Sequence, residues 1–326
     1  MRFHDFAEQL LHLEETSSRL VMTEQLAGVI RALEPEEVAP ASYLLQGQLL
    51  PNYESQEFGV STKTILKVLS TLAGRDVSLE FKQIGDAGKM ASMILEQHQV
   101  GDQTVSEVYH SLLMLAKENG EGSQERKQQL LLELLQSSDA VSGKLVIRMI
   151  LGKLRLGFST MTMLDGLSWA MCGSKAESSL LEDAYQRRAD IGYLASRYLV
   201  VEDQEERKQV LAAISLQVGT PVMPALCQRL NSATEIIDKM HTVIAEPKFD
   251  GLRLQIHIHK TSEGVSVKAF TRNLEDASHM FPELLAAAQH VQCRSCILDS
   301  EAISYDPVTG QLRTFQETIT RKRKHD

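Results

Sequence analysis

The hydrophobic pattern of this chain changes its period near residue 219, and this change restricts the possible folds more than any other feature. Before that point apolar residues recur every three to four positions, as in residues 18–33 and 105–116, which predicts amphipathic helices. From residue 252 to 258 apolar side chains alternate with polar ones, which predicts a strand with one buried face. The two halves therefore require different architectures.

A glycine and two prolines within residues 219–224 mark the boundary between these halves. We therefore predict a multidomain chain, with an all-α domain over residues 1–218 and an incomplete α+β domain with antiparallel strands over residues 219–326. The strands are expected at residues 252–259, 265–272 and 296–305, and a helix at residues 281–290. His257 and His259 are assigned to a polar strand face rather than to a metal site, because no third ligand is evident.

Composition narrows the class of protein without naming a function. Apolar residues make up 43% of the chain, and the longest apolar runs are far too short to span a bilayer. Four cysteines in 326 residues suggest a reducing compartment rather than a disulfide scaffold, so we expect an intracellular location. The net charge of −9 does not exclude a nucleic acid partner, because DNA responds to the local field of one face.

The most informative local pattern is Lys-x-Asp-Gly, in which Lys248 is followed by Asp250 and Gly251. Asp-Gly favours a tight turn, here placed just before the predicted strand. A lysine is a nucleophile only when its amine is neutral, and Arg253 or a metal ion could favour that state. Asp250 would act in the opposite sense. By itself the pattern also fits an ordinary surface lysine beside a hairpin turn.

The wider context resembles the covalent nucleotidyltransferases, which include DNA ligases, RNA ligases and mRNA capping enzymes. The first motif reads Glu-Pro-Lys-Phe-Asp-Gly-Leu-Arg over residues 246–253. Residues 270–276 (Phe-Thr-Arg-Asn-Leu-Glu-Asp) and 297–302 (Ile-Leu-Asp-Ser-Glu-Ala) are similar to the next two motifs of DNA ligases. Phe315-Gln316 and the basic run at residues 321–324 resemble the segment that follows them. Several motifs in the right order favour an ATP-dependent DNA ligase.

This resemblance implies a role for each matching residue. Lys248 is expected to attack the α-phosphate of ATP and to carry AMP as a phosphoramidate. Glu246 is expected to contact the adenine edge, and Glu301 the ribose or a metal ion. Arg253 and Arg272 are expected to contact the sugar and phosphates, because a guanidinium fork suits anionic oxygens. Mg²⁺ is the expected cofactor, with its ligands unassigned. Without the flanking motifs, Arg272 and Glu301 would be read as solvated strand residues.

A basic stretch in the first domain is the candidate DNA interface. Residues 144–157 contain Lys144, Arg148, Lys153 and Arg155 and no acidic residue. On one continuous helix, Lys144, Arg148 and Arg155 would share a face suited to phosphate contacts. The alternative is a solvated helix face. However, residues 148–157, 47–51 and 221–226 are similar to segments of archaeal and eukaryotic-type DNA ligases, so the resemblance covers nearly the whole chain.

The function that this resemblance implies is ATP-dependent sealing of nicks in duplex DNA, as in replication, repair and recombination. A sliding clamp is a partner expected from the family alone, and a nucleoid or cytoplasmic location is expected rather than a nuclear one. The later catalytic motifs and the OB-fold domain of the family are not found in these 326 residues. We therefore expect this chain by itself to seal nicks poorly. The alternatives are a non-catalytic DNA-binding fragment or another nucleotidyltransferase, such as an RNA ligase.

Overall fold

A computed structural model of the chain describes residues 1–54, 56–99, 101–154, 156–225 and 227–318. The chain forms two compact units. The first unit comprises Met1–Tyr185 and Asp190–Ser215, and the second comprises Gln186–Ala189 and the residues from Leu216 onward. The long continuous part of the second unit starts at Leu216, three residues before the boundary at residue 219 that the glycine and prolines predict.

The first unit is helical, as the 3.6-residue period predicts. The helices up to residue 213 are α1 (Phe3–Glu15), α2 (Arg19–Arg31), α3 (Val38–Leu44), α4 (Thr62–Ala73), α5 (Ser78–Ile84), α6 (Ala87–Ile94), α7 (Val105–Lys117), α8 (Ser123–Gln136), α9 (Ala140–Ile150), α10 (Thr160–Cys172), α11 (Ser178–Arg187), α12 (Ile191–Tyr198) and α13 (Gln204–Ala213). Short 3-10 helices lie at Pro35–Glu37 and Asn52–Glu54. Across the described ranges, no helix has both the length and the apolar character needed to cross a bilayer.

Side-chain caps explain where many of these helices begin. Thr104 forms a capping box with Glu107 at the start of α7, and Asp139 accepts two backbone N–H groups at the start of α9. Asp190 caps α12 by accepting the N–H of Tyr193 at 2.9 Å. The same buried carboxylate accepts the hydroxyl groups of Tyr43 and Tyr53 at 2.6 and 3.0 Å. This one carboxylate therefore fixes α12 and two earlier segments in the core of the first unit.

Helix α9 ends earlier than the sequence predicts. Its last residue is Ile150, whereas a face shared by Lys144, Arg148 and Arg155 requires one continuous helix as far as Arg155. Gly152 adopts a left-handed conformation with φ of 62°, and the N–H of Lys153 donates to the carbonyl of Arg148 at 2.8 Å. This pairing is a Schellman motif, which glycine favours because it has no Cβ. Lys153 consequently lies beyond the helix, outside the shared helical face.

The second unit contains a small antiparallel sheet, which confirms the predicted α+β class of the incomplete domain. Its elements are α14 (Ala233–Met240), β1 (Leu252–Thr261), β2 (Gly264–Phe270), a 3-10 helix (Ser278–Met280), α15 (Leu284–Gln289), β3 (Ser295–Ala302) and α16 (Phe315–Thr318). The strand order is β2-β1-β3. Leu254 packs with Ala277, Met280 and Phe281 in an apolar cluster on one side of the sheet. The predicted alternation in β1 therefore places its even-numbered residues toward this core.

The opposite face of β1 is not uniformly solvated, which corrects the prediction for His257. His259 is exposed, but only 1% of the surface of His257 is accessible. The N–H of Gly219 donates to His257 Nδ1 at 2.9 Å, so the ring proton lies on Nε2, which donates to Gln255 Oε1 at 2.9 Å. Phe270 meets the imidazole edge to face, with ring centroids 4.9 Å apart. Sequence periodicity could not predict this cover, because it comes from a segment almost forty residues earlier.

The burial of His257 predicts a dependence of stability on pH. Burial, together with the positive charge of Lys268, lowers the pKa of His257 to about 4 from its ordinary value of 6.5. The folded state therefore favours the neutral ring, and its contribution is complete above pH 6.5 and is lost as the pH falls toward 4. The expected loss of stability of the second unit is about 3 kcal/mol. Amide hydrogen exchange of β1 between these pH values measures this loss.

Two variants isolate this contribution from other acid titrations. His257→Gln is expected to remove most of the loss between pH 6.5 and 4, because the replacement does not titrate in that range. His259→Gln changes the exposed histidine two residues further along β1 and is expected to retain the wild-type profile. Equal pH profiles for the two variants would contradict the assignment to His257.

Candidate active site

The segment that carries Lys248 enters β1 through a crowded turn. Lys248 is exposed and precedes the first residue of β1, Leu252. A Cβ atom at Gly251 would lie 2.6 Å from the carbonyl oxygen of Ala302 and 2.8 Å from Cγ of Glu301. Only glycine fits at this distance, so the Asp-Gly pair allows the chain to pass directly against the end of β3. The motif glycine therefore brings the lysine segment and Glu301 to the same place.

A cavity of about 900 Å³ lies next to this turn. All five side chains assigned to nucleotide chemistry from the sequence line it: Glu246, Lys248, Arg253, Arg272 and Glu301. The volume is within the range that small-molecule sites occupy. Residues more than fifty positions apart in the sequence thus meet at one site. The geometry brings the whole predicted set together in the second unit.

Arg253 is held in place by a residue that the sequence interpretation did not assign. Its Nε donates to Asp299 Oδ1 at 2.8 Å and its Nη2 donates to Asp299 Oδ2 at 2.6 Å. The register of β1 and β3 places Arg253 opposite Glu301, with Asp299 at the adjacent same-face position. The hydrogen bonds to Asp299 raise the pKa of the Arg253 guanidinium above its ordinary value. Arg253 therefore remains a fixed cation facing the cavity.

The other four assigned side chains are available to a ligand. Glu246, Lys248, Arg272 and Glu301 are exposed, and none forms an ion pair or side-chain hydrogen bond within the described ranges. Asp250, the acidic residue of the lysine motif, instead accepts the N–H of Phe315 at 3.2 Å. One cation of the site is therefore fixed, whereas Lys248 and Arg272 are free to adjust to a bound molecule.

Arg272 lies on a tight turn with an unusual backbone conformation. The N–H of Leu274 donates to the carbonyl of Thr271 at 2.9 Å, and the N–H of Thr271 donates to the carbonyl of Glu275 at 3.0 Å. Leu274 is buried and has a φ of 65°, which is rare for a residue with a Cβ. Strain of this kind is retained where the surrounding structure fixes it, often beside functional sites. The buried leucine holds the turn so that Arg272 lies at the cavity.

Sequence reasoning missed Asp299, and a usable signal was present. Asp299 lies within the third motif, two residues before Glu301. Only the pairing register of β1 with β3 identifies it as the partner of Arg253. His279 and Asn273 also line the cavity, and Asn273 lies within the second motif, but neither was assigned a role from the sequence. Strand register is the information that periodicity lacks.

The basic residues of the first unit differ from one another in the structure. Arg148 Nη1 contacts Glu14 at 2.9 Å and its Nη2 contacts Asp86 at 3.2 Å, so this cation is neutralised within the unit. Lys144 is partly buried, and Lys153 is exposed beyond the end of α9. Arg155 lies outside the described residues, as does the basic run at residues 321–324. Among the described members of the set, Lys153 has the most accessible charge.

Two protein-family models match this chain, one in each half. The model described as "DNA ligase N terminus" matches residues 2–168, and the model described as "ATP dependent DNA ligase domain" matches residues 224–326. The chain belongs to the ATP-dependent DNA ligase family. This result confirms the family predicted from the Lys248 motif and its neighbours. The match of the helical half to a DNA ligase domain also favours a DNA ligase over an RNA ligase that shares only the lysine motif.

Related proteins align with this family member over nearly its whole length. It is 37% identical over 338 residues to DNA ligase 2 of Thermofilum pendens, an alignment covering 99% of this chain and 54% of that protein. It is 38% identical to a probable DNA ligase of Dictyoglomus thermophilum, covering 100% of this chain and 55% of the relative. A DNA ligase of Pyrobaculum calidifontis is also 38% identical, and the alignment covers 100% of this chain and 56% of that relative. The chain spans about half the length of these curated relatives.

Proposed function

We propose that this chain carries the nucleotide-transfer site of an ATP-dependent DNA ligase and that Lys248 is its nucleophile. The observation that supports this most directly is the meeting of Lys248, Glu246, Arg253, Arg272 and Glu301 around one cavity. These residues come from separate segments of the chain, all of which lie within residues 224–326, the range that the family model matches. A chance surface lysine would have no reason to share a cavity with all four.

The proposed first step is adenylyl transfer to Lys248. The neutral amine of Lys248 attacks the α-phosphorus of ATP, a nitrogen–phosphorus bond forms, and the bond to the pyrophosphate leaving group breaks. The amine loses a proton in the process. Arg253 and Arg272 would stabilise charge on the phosphate oxygens, and positioning of this kind dominates phosphoryl-type transfers. Glu246 would bind the adenine, and Glu301 the ribose.

Magnesium fits the chemistry of this cavity. Carboxylates of Asp250, Glu275, Asp276, Asp299 and Glu301 line the cavity, and oxygen is the donor that Mg²⁺ prefers. Across the described ranges, no three metal-binding side chains are grouped closely enough to hold an ion. Mg²⁺ commonly binds through one or two carboxylates together with substrate phosphates. We therefore propose that Glu301 contributes to such a site, where the ion would offset phosphate charge.

The later steps of the proposed activity act on DNA. AMP would pass from Lys248 to the 5′-phosphate at a nick, and the 3′-hydroxyl would then displace it and seal the strand. The first unit would bind the duplex, with Lys153 and Lys144 contacting phosphates. Nicked duplex DNA is thus the proposed substrate, in an intracellular setting. A sliding clamp remains an expectation from the family.

The test of the proposed function is covalent labelling. Incubation with α-labelled ATP and Mg²⁺ is expected to leave label on the denatured chain, with the acid lability of a phosphoramidate. Mass spectrometry is expected to find AMP on the peptide that contains Lys248. Label on a different residue would refute the assignment of Lys248. Duplex binding without any label would favour a non-catalytic DNA-binding module.

The proposed DNA interface makes a separate prediction for Lys153. Lys153→Ala is expected to weaken duplex binding and to reduce the slope of log affinity against log salt by about 1, because one phosphate contact is lost. Fluorescence anisotropy at several salt concentrations measures this slope. Lys117→Ala, at the exposed end of α7, is the control and is expected to change nothing. An unchanged slope for Lys153→Ala would contradict its assignment.

Arg148 is expected to behave differently, because Glu14 and Asp86 bind its guanidinium. Arg148→Ala leaves these two carboxylates without their partner, so the first unit should lose stability as well as charge. Thermal unfolding followed by the fluorescence of Trp169, the single tryptophan, reports this loss. Lys153→Ala should leave the same unfolding curve unchanged. Weaker binding by Arg148→Ala at full stability would indicate a direct DNA contact instead.

A further inference from the structure

The second unit carries a pair of cysteines outside the nucleotide cavity. Cys293 and Cys296 are separated by two residues, and neither of them lines the cavity. Both thiols are free and half-buried. The other two cysteines are not near this pair in the sequence, since Cys172 belongs to the first unit and Cys227 lies well before β1. Two thiols at such a short spacing can react with each other, which a single cysteine cannot do.

The backbone bends between the two cysteines, just where β3 begins. The bend is at Cys293 and Arg294, and Ser295 is the first residue of β3. The N–H of Lys260, near the end of β1, donates to the carbonyl of Arg294 at 2.8 Å and fixes the bend against the sheet. A fully extended chain would separate the Cα atoms of Cys293 and Cys296 by about 10 Å, whereas a disulfide requires less than about 7 Å. The bend shortens this separation.

The surroundings of the pair favour different roles for the two sulfur atoms. Burial and the neighbouring thiol of Cys293 raise the pKa of Cys296, so Cys296 stays protonated and the two thiols lie close enough to influence each other. The positive charge of Lys260 acts in the opposite sense on Cys296, and its Nζ donates to the carbonyls of Gln289 at 3.4 Å and of Val291. A protonated thiol and a cation both stabilise a neighbouring thiolate. Cys293 is therefore the sulfur better placed to react as a nucleophile.

We propose that Cys293 and Cys296 are a reversible modification site, at which hydrogen peroxide oxidises the pair to an intramolecular disulfide that restrains the start of β3. The thiolate of Cys293 attacks a peroxide oxygen, so that a sulfur–oxygen bond forms, the oxygen–oxygen bond breaks and, with a proton, water leaves. The thiol of Cys296 then attacks the sulfenic sulfur, the sulfur–sulfur bond forms, and a second water leaves. The pair loses two hydrogen atoms, and one peroxide becomes two waters. This inference is independent of the role of Lys248.

A metal ion fits the pair less well than a disulfide does. Structural zinc sites usually have four His or Cys ligands. Among the residues that the structure describes, no three potential ligands are grouped closely enough to hold an ion, so the two cysteines lack the partners that such a site needs. In a reducing compartment the disulfide would be transient, as redox-sensing disulfides are.

The restraint would act on the strand that carries Asp299, the partner of Arg253. A disulfide between Cys293 and Cys296 closes a short loop and lowers the conformational entropy of the open strand more than that of the paired strand. Amide hydrogen exchange at the start of β3 is therefore expected to slow about tenfold or more on oxidation. Unchanged exchange in the fully oxidised chain would refute the restraint.

Peptide mapping tests the disulfide itself, because trypsin cleaves after Arg294, between the two cysteines. The whole chain is treated with hydrogen peroxide, its remaining thiols are alkylated, and it is then digested. The peptide that ends at Arg294 and the peptide that begins at Ser295 are expected to stay joined until dithiothreitol separates them. Alkylation of both Cys293 and Cys296 after peroxide treatment would overturn the inference.

Cys227 provides a reference within the same chain, because it is more exposed than either member of the pair. If exposure alone determined reactivity, peroxide would oxidise Cys227 first. Cys293 and Cys296 are instead expected to be oxidised about tenfold or more faster than Cys227, because a neighbouring thiol and a cation favour the reactive thiolate. Oxidation of Cys227 at an equal or higher rate would refute the special reactivity of the pair.

Serine variants separate the roles of the two sulfur atoms. In Cys296→Ser the sulfenic acid of Cys293 has no thiol to react with, so it is expected to accumulate and to be trapped by dimedone. In Cys293→Ser trapping at Cys296 is expected to be about tenfold or more weaker, because Cys296 stays protonated. Cys227→Ser is the matched control and should still yield the joined peptides. Equal trapping in the first two variants would refute the assigned roles, and loss of the joined peptides in Cys227→Ser would refute the pairing.

Discussion

Replacing Lys248 with alanine is expected to abolish covalent attachment of AMP. The amine is the only group of this side chain that can form a bond to phosphorus, and no other described lysine lines the cavity. The expected loss is complete rather than partial, since the intermediate itself cannot form. A gel assay with α-labelled ATP measures the loss.

Two further variants separate nucleophilicity from charge and from general lysine chemistry. Lys248→Arg keeps a positive charge at the cavity, but its guanidinium remains protonated and does not act as a nucleophile. This variant is expected to bind ATP and to retain no label. Lys63→Ala removes an exposed lysine of α4 in the first unit and is expected to label normally. Label on Lys248→Arg would show that another residue accepts AMP.

The second large effect is expected from a buried ion pair in the first unit. Arg207 Nε donates to Glu177 Oε2 at 3.0 Å, and the hydroxyl of Tyr198 donates to the same oxygen at 2.6 Å. Although burial favours protonation, the hydrogen bonds from Arg207 and Tyr198 lower the pKa of Glu177. Glu177→Gln removes the negative charge and leaves Arg207 buried without compensation. The free energy of unfolding should fall by about 3–5 kcal/mol.

Chemical denaturation followed by Trp169 fluorescence measures this effect, because the single tryptophan lies in α10 of the same unit. Glu205→Gln is the control, since it removes the carboxylate of an exposed ion pair with Lys208 and should have little effect. The double variant Glu177→Leu with Arg207→Met removes both charges and should be more stable than Glu177→Gln. Equal stability of Glu177→Gln and wild type would show that solvent reaches Arg207.

Much of the fold follows from periodicity alone. The helical half and the alternation in β1 are visible in the sequence because side-chain burial repeats with the period of each element. The five residues around the cavity were also predictable, but through family motifs rather than through physical pattern. Without those motifs, the physical pattern leaves Lys248 as one surface lysine among many. The cavity that unites these residues depends on strand pairing, which no local pattern specifies.

The features that the sequence did not predict depend either on backbone geometry or on contacts between segments that are distant in the chain. Placing Lys144, Arg148 and Arg155 on one continuous helix neglects the preference of Gly152 for a left-handed conformation, which ends α9 at Ile150. His257 was assigned to a polar surface because the segment that covers it is distant in sequence. The ion pairs of Arg148 with Glu14 and Asp86 are likewise invisible in the sequence, because these residues are not its neighbours in the chain. Charge and spacing alone cannot reveal a partner supplied by another element.

The contact between Arg253 and Asp299 has a consequence for the entropy of ligand binding. An arginine side chain loses about 2 kcal/mol of rotamer freedom when it is fully immobilised. Asp299 already restrains Arg253 before any nucleotide arrives, so most of that entropic cost falls on folding rather than on binding. Lysine at position 253 could not form the same two-pronged contact, because its ammonium group is a point charge. Positions 253 and 299 therefore act as one recognition unit. A change at either position alters the conformational entropy that the side chain at position 253 loses when a ligand binds.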